Sequence, residues 1–330
     1  MNKPIPPQLT GHKNSLVIRY SALFDGSSEN PKDIQRMAQL VFSLLSLKLF
    51  VLPYAGACSI IIYTLDKYIP PLKKNLDSLS IANYDFYILD SPSDIDFAES
   101  LENCSEVDRI CVRRMLADFR VLPVDSFRLL LGNDIYFFSP PQEIISWTFN
   151  LNPSVNVLYM IDDFFFKEQP YKLRYYRPEI LGGLLGDFYC IAPGVSLERT
   201  SIVSCLRLID DWPPYRRWIP ELPRHMTKMV HACEQQAAAM LLGQFVGKAL
   251  PSSLYNNYVP RKNCVVLHTG HPWLNISLGQ IPPELASQVL EVWKQLGYHH
   301  ILEAAKPIQI NRATRLYREI KQFLWRRYRR

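Results

Sequence analysis

Residues 127–143, FRLLLGNDIYFFSPPQE, constrain this chain more than any other stretch. Leu129, Leu130 and Leu131 lead into Asn133 and Asp134, and Ile135, Tyr136, Phe137 and Phe138 follow. Apolar runs of this kind read as two short strand segments covered on both faces. A polar pair has no place inside such a strand, so it marks a break. Pro140 and Pro141 stop the second run, and the residues around them predict a helix start. Ser139 would be its N-cap, Pro140 its pre-organised first residue and Gln142 the amide that reaches back. Asp134 is thus displayed where a strand ends. Ligands of α/β sheets bind at that edge, and an ionised carboxylate there suits a divalent cation with oxygen ligands.

The neighbouring segments alternate strands with helices. Residues 15–24 alternate toward a first strand, closed by the polar turn of Asp25, Gly26, Ser27 and Ser28. Residues 31–52 carry Ile34, Met37, Ala38, Val41, Leu44, Leu45 and Leu49 at helical spacing, ended by Pro53, as a buried packing helix does. Residues 58–66, CSIIIYTLD, form a β-branched strand, and residues 84–90, YDFYILD, a third. Residues 105–120 open on a capping box of Ser105 and Asp108 and place Val107, Ile110, Cys111, Met115 and Phe119 on one helix face. Arg109, Arg113, Arg114 and Arg120 lie off that stripe, as a solvated basic face. In residues 156–166, NVLYMIDDFFF, Asp162 and Asp163 are adjacent. Adjacent strand residues point to opposite faces, so this pair does not chelate one ion together on a straight strand.

With 330 residues, 48% of them hydrophobic, the chain has enough apolar material for one large α/β domain or two smaller ones. Its formal charge of +6 is uneven: residues 312–330 hold eight Arg or Lys and the single acid Glu319, leaving the body near neutral. That argues against a broad nucleic-acid-binding face, and no nucleic-acid partner is expected. Seven scattered cysteines without a C-x-x-C pair point to reduced thiols and a cytoplasmic compartment. The first residues lack an apolar signal core, and the most apolar stretch, 37–65, is interrupted by Lys48, Pro53 and Gly56, so neither secretion nor a membrane span is expected. Four glycines in residues 181–194 form neither a G-x-G-x-x-G fingerprint nor a G-K-[ST] phosphate loop. The expected layout is a flexible N-terminus over 1–14, the domain over 15–305, and a basic amphipathic helix over 306–330. In that tail Leu316, Ile320, Phe323 and Leu324 share a face while Trp325 and Tyr328 stand among arginines. Such a helix either lies on an anionic membrane surface, peripheral to the inner face, or packs on the body.

In order and spacing these pieces resemble the GT-A fold nucleotide-sugar glycosyltransferases, over roughly residues 15–275, and in motif order the retaining family-eight-like members. Residues 127–143 are similar to that family's strand, Asp-x-Asp and strand element, with Gly132, Asn133 and Asp134 as the triplet. The first Asp is therefore replaced by Gly132. Residues 58–66 resemble a second strand ending Y-T-D, and residues 231–242, HACEQQAAAMLL, resemble the acidic-Gln helix. Residues 263–273, NCVVLHTGHPW, look like a shortened H-x-G-x-x-K-P-W segment without its Lys. Residues 181–194 look like the acceptor-side loop leading into an N-x-G-V strand, of which Gly194 and Val195 keep the G-V part.

The resemblance implies a single domain with a central mixed, mostly parallel sheet flanked by helices. It implies a metal site of Asp134 and His268 holding Mn²⁺ or Mg²⁺. Donor contacts would come from Tyr20 and Ser21 at the first strand end, from Tyr63 as a stacking ring, Thr64 as a hydroxyl and Asp66 as a helix-capping or ribose carboxylate, and from Asn133 and Gly270. Arg113 or Arg114 would assist the leaving group. Glu234 and Gln235 would face the reacting sugar, either activating the acceptor or stabilising oxocarbenium character, and retention versus inversion stays open. The implied activity is sugar transfer from a nucleotide-diphosphate sugar to a hydroxyl of a glycan, lipid-linked or protein acceptor. Gly132 motivates a competing expectation, a transferase-like binding protein without catalysis. The basic tail motivates a third, an RNA or membrane adaptor.

Overall fold

The computed structural model describes residues 15–24, 30–81, 83–102, 104, 106–150, 153–161, 184–210, 233–257, 263–269 and 281–298. The expected terminal segments 1–14 and 306–330, together with Ser105, Asp162, Asp163 and residues 270–273, lie outside them.

The buried runs supply the strands of a central sheet: β1 (Leu16–Ser21), β2 (Cys58–Thr64), β3 (Tyr84–Ile88) and β4 (Phe127–Leu131). The break at Gly132 to Asp134 is followed by β5 (Ile135–Phe137), and the chain continues through β6 (Val157–Ile161), β7 (Leu184–Ile191), β8 (Gly247–Ala249), β9 (Tyr255–Asn257) and β10 (Val266–His268). Seven strands form one sheet in the order β3-β2-β1-β4-β7-β6-β8, and a smaller sheet runs β5-β10-β9. Strands β1 to β4 are mutually parallel where they pair. Only β7 is antiparallel to its large-sheet neighbours, β4 and β6. This is the mixed, mostly parallel sheet expected. The two halves of the 127–138 run do not share a sheet, which its pattern did not show.

Helices cover both faces. On one face lie α1 (Pro31–Phe50), α2 (Ile69–Asp77) and the small sheet, around a core that includes Met37, Val41, Leu76, Tyr136 and Phe188. On the other face lie α3 (Pro92–Glu99), α4 (Glu106–Val121), α6 (Arg199–Asp210) and α7 (Cys233–Leu242), packed through Phe97, Val112, Leu206 and Ala238. The short α5 (Gln142–Thr148) and α8 (Pro283–Gln295) add Ile144 and Trp293 to the first core. Asn30 caps α1 by accepting from the Lys32 amide at 3.0 Å. The same helix shields the edge of β5. Ser43 Oγ donates to the Ile135 carbonyl, Ser46 Oγ accepts from the Phe137 amide at 3.0 Å, and Phe42 stacks on Tyr136 with ring centroids 4.2 Å apart. Serines inside an otherwise apolar helix thereby satisfy strand groups that would be costly to bury unpaired.

Three local expectations change. The helix after the double proline starts at Gln142, with Pro141 as N-cap and no side-chain cap, so the Ser139 capping box is corrected. Pro140 precedes another proline, and a residue in that position is steered away from helical backbone, so it does not open the helix. Residues 184–191, read as part of a loop, are a strand in the interior of the sheet between β4 and β6, and the G-V pair follows it in a turn where Gly194 takes φ +80°. The arginines of α4 are not one solvated face. Arg109 pairs with Glu99 at 2.7 Å and Arg120 with Asp94 at 2.7 Å, whereas Arg114 is buried.

Among the described residues Cys58, Cys104, Cys111, Cys190, Cys205 and Cys264 are free thiols. Burial pushes the Cys58 thiol up to about 12. Among the described residues no helix is long and apolar enough to cross a membrane.

One buried ion pair ties the first strand to the rest. Arg19 of β1 grips Asp118 of α4 through two bonds of 2.9 Å, and its remaining nitrogen donates to the Leu131 carbonyl at 3.2 Å. Both partners are almost entirely shielded from water. Removing one partner strands the other charge, so Asp118→Ala is expected to lower unfolding free energy by about 3–5 kcal/mol. A urea titration reads the loss, and a change under about 1 kcal/mol, the range of exposed pairs, would contradict it.

Candidate active site

The site lies at the seam between the two sheets. Strand β4 ends at Leu131, and the Gly132 amide still donates to the Asp187 carbonyl of β7 at 2.8 Å. The chain then leaves the large sheet through Asn133 and Asp134 and enters β5 of the small one. Strand β10 runs antiparallel to β5 with His268 opposite Ile135, and the Thr269 amide donates to the Asp134 carbonyl at 3.2 Å. That pairing sets the buried imidazole beside the carboxylate, with His268 Nε2 3.5 Å from Asp134 Oδ2. Asp187 reaches the same point from β7. One ligand atom each of Asp134, Asp187 and His268 lies within 4.8 Å of the others. This spread is comparable with the diameter of a divalent cation's ligand shell, about 4–5 Å. Two carboxylates and one imidazole suit a hard to borderline ion such as Mn²⁺, and Mg²⁺ through the oxygens.

A second charged layer stands behind these residues. Arg114, on α4, donates to Glu234 Oε1 of α7 at 2.8 Å and lies 3.6 Å from Asp187 Oδ1. Ser21, at the carboxyl end of β1, accepts from Arg19 Nη1 at 3.3 Å and from Arg114 Nη1 at 3.5 Å. Arg114 and Asp118 are one helical turn apart, so a single face of α4 meets both the β1 pair and the site. Burial raises the Glu234 pKa, opposed by Arg114 and reinforced by Asp187 and Asp108. Burial works against the Arg114 charge, yet the acids around it, Cys111, Glu234, Asp187 and Asp118, hold its pKa above the ordinary value. Arg19 pairs with Asp118 and Arg114 with Asp187 and Glu234, while Asp134 stands beside His268 and the buried Asp108 acts on Glu234. The carboxylates outnumber the guanidiniums here, a balance that repels an anionic diphosphate and that a dication offsets.

Of the residues singled out from the sequence, Asp134 and His268 converge, and Glu234 is connected to them through Arg114 and then Asp187. Between the two candidate arginines it is Arg114, not Arg113, that contacts Glu234 and Asp187. Gln235 packs against Gly186, so close that a Cβ there would lie 3.1 Å from the Gln235 Cβ. Asp66 is exposed as the first residue of a 3₁₀ turn after β2, and Asn133 donates to the Arg36 carbonyl at 3.4 Å. Tyr63 is corrected from stacking ring to core residue: it is fully buried and tilts against Tyr87, leaving no ring face for a base. Tyr20 is likewise buried, with its hydroxyl 3.0 Å from Ser43 Oγ on the α1 side. Thr64 Oγ1 donates to the Ala22 carbonyl at 2.8 Å and so closes the β1 and β2 ends rather than reaching a ligand. Gly270 lies outside the described residues.

Asp187 was not among the candidates. Its signal is nonetheless present, a single carboxylate inside the apolar run LLGDFYCI. The glycines around it suggested a loop instead.

No protein-family model and no curated protein sequence matches the chain. Solved structures do. The apo structure of the bifunctional glycosyltransferase WbbM superposes with a TM-score of 0.50 over 89% of this chain and 52% of its own, at 10% identity. The chain thus spans about half of that protein's length. Apo mouse xyloside xylosyltransferase 1 gives 0.49 over 77% of this chain and 97% of its own, at 8% identity. The galactosyltransferase LgtC, with donor and acceptor sugar analogues, gives 0.48 over 85% and 95%, at 14% identity. At these identities the likeness shows the fold alone. The chain has the mixed α/β fold of the GT-A glycosyltransferases.

Proposed function

We propose that this protein is a metal-dependent glycosyltransferase that moves a sugar from a nucleotide-diphosphate sugar to a hydroxyl acceptor. The observation that carries the reading is the convergence of Asp134, Asp187 and His268 at the end of β4, with Arg114 and Glu234 directly behind them. A site of this composition beside the carboxyl ends of parallel strands suits a nucleotide diphosphate. When bound, Mn²⁺ or Mg²⁺ would supply positive charge to the diphosphate oxygens as the anomeric bond breaks.

The chain's own residues divide the remaining work. Asp134, Asp187 and His268 hold the ion. Arg114 carries its charge in a place shielded from water, where it steadies Glu234 and favours a leaving diphosphate. Glu234 and Gln235 face the sugar. The raised pKa of Glu234 suits proton transfer with an acceptor hydroxyl, and its ionised form suits a developing oxocarbenium ion. Ser21, Asp66 and Asn133 form the donor side around the β1, β2 and β4 ends, and Gly270 is a further donor contact of this reading. The basic segment 306–330 holds the protein at an anionic membrane surface on the cytoplasmic side.

The competing reading is a transferase-like binding protein without turnover, and Gly132 is the residue that favours it. It requires donor binding that ignores Asp134.

The test is donor turnover across UDP-, GDP- and other nucleotide sugars with Mn²⁺. One nucleotide is expected to be released, and both EDTA and Asp134→Ala are expected to abolish release. Metal-independent binding without turnover would establish the binding protein instead. Glu234→Gln is expected to lower kcat by about 10²–10⁴-fold with a small effect on donor KM, as loss of a general acid or base does. A rise in donor KM of that size with kcat unchanged would reassign Glu234 to donor binding. A chain ending at residue 305 is expected to turn over a soluble acceptor at the full-length rate while losing attachment to anionic vesicles. Loss of the soluble reaction would place the tail in the catalytic unit.

A further inference from the structure

The register of β4 and β7 bears on the missing first Asp of the triplet. These strands are antiparallel with Leu131 opposite Phe188, so Gly132 stands opposite Asp187. Facing residues on such strands ordinarily keep their Cβ atoms about 4.5–5.5 Å apart. A Cβ on Gly132 would instead lie 2.9 Å from the Asp187 Cβ, 3.1 Å from its Cγ and 3.1 Å from Asp134 Oδ1. Only one of the two positions has room for a side chain. The crowding coincides with an irregularity in β7. Tyr159 pairs with Tyr189 and Ile161 with Leu184, so five steps along β7 match two along β6. Extra residues of this kind bend a strand and re-aim its side chains. The Asp187 side chain fills the space beside Gly132, and its carboxylate meets Asp134 and His268.

We infer that Gly132 and Asp187 are a reciprocal pair: Asp187 supplies, from the neighbouring strand, the metal carboxylate that an Asp-x-Asp triplet carries at position 132, and Gly132 makes the room for it. This inference rests on the metal-dependent reading above. It makes Gly132 the counterpart of a relocated ligand and not the trace of a lost one. Asp187 also lies 3.6 Å from Arg114, so the experiment must read metal binding itself and not activity alone.

The experiment is Mn²⁺ titration by calorimetry on the full chain, with metal-free melting as a folding control. Outer-shell partners of a metal typically contribute about 10–100-fold in affinity, so loss of a charged ligand in the isosteric Asp187→Asn is expected to weaken Mn²⁺ at least about tenfold. Asp187→Gly combined with Gly132→Asp is expected to bind more tightly than Asp187→Gly alone. Asp187→Ala combined with Gly132→Asp is not, because its Cβ still blocks position 132. Wild-type Mn²⁺ binding that Asp187→Asn leaves unchanged would overturn the inference while leaving Asp134 and His268 in place. A Gly132→Asp, Asp187→Gly double variant no tighter than Asp187→Gly would overturn the exchange. Absence of Mn²⁺ binding in the wild type would remove both the inference and the metal-dependent reading.

Discussion

The bidentate contact between Arg19 and Asp118 is the constraint on which the site depends. It buries two charges where neither is tolerable alone, so β1 and α4 are held in one relative position. The same guanidinium takes the Leu131 carbonyl, the last of β4, and thereby sets where the chain leaves the sheet. One turn back along α4, Arg114 inherits that placement and meets Glu234 and Asp187. A single buried pair therefore aligns the first strand, the exit of β4 and the charged layer behind Asp134, Asp187 and His268. Its desolvation cost makes the arrangement all-or-none, which suits a site that must keep several like charges together.

The second constraint is topological. Asp134 belongs to neither sheet: it is the link between β4 in the large one and β5 in the small one. Because β10 pairs with β5, and β7 pairs with β4, His268 from one sheet and Asp187 from the other arrive at the link. Two short polar positions thus bring together residues separated by more than a hundred positions in the chain. The serines of α1 make the arrangement tolerable by satisfying the β5 edge within an apolar layer.

Much of this was legible in local pattern. The polar break in residues 127–143 revealed Asp134 because a carboxylate inside a buried run is costly and therefore placed for a reason. His268 emerged in the same way, at the end of a short apolar strand. Tyr63 and Tyr20 depart from the expectation because an aromatic near a strand end looks the same in sequence whether it faces a ligand or the core; only burial separates the two. Arg114 was grouped with its exposed neighbours because one helix face cannot be told from another without knowing which elements pack against it. Asp187 went unseen because glycines at 182, 183 and 186 resemble a loop. In the fold, Gly186 instead admits the Gln235 side chain of α7.

The sequence by itself determined the α/β class, the strand break that exposes Asp134, and the types of group available for the chemistry, since periodicity, burial and donor identity are local properties. Only the tertiary structure decided which of those groups meet. The partner of Gly132 is set by the register of an antiparallel strand 55 positions away, and the partners of Arg114 by helix packing across the sheet. Neither register nor packing is encoded in any one segment, because each is a relation between surfaces that exist only once both segments have folded.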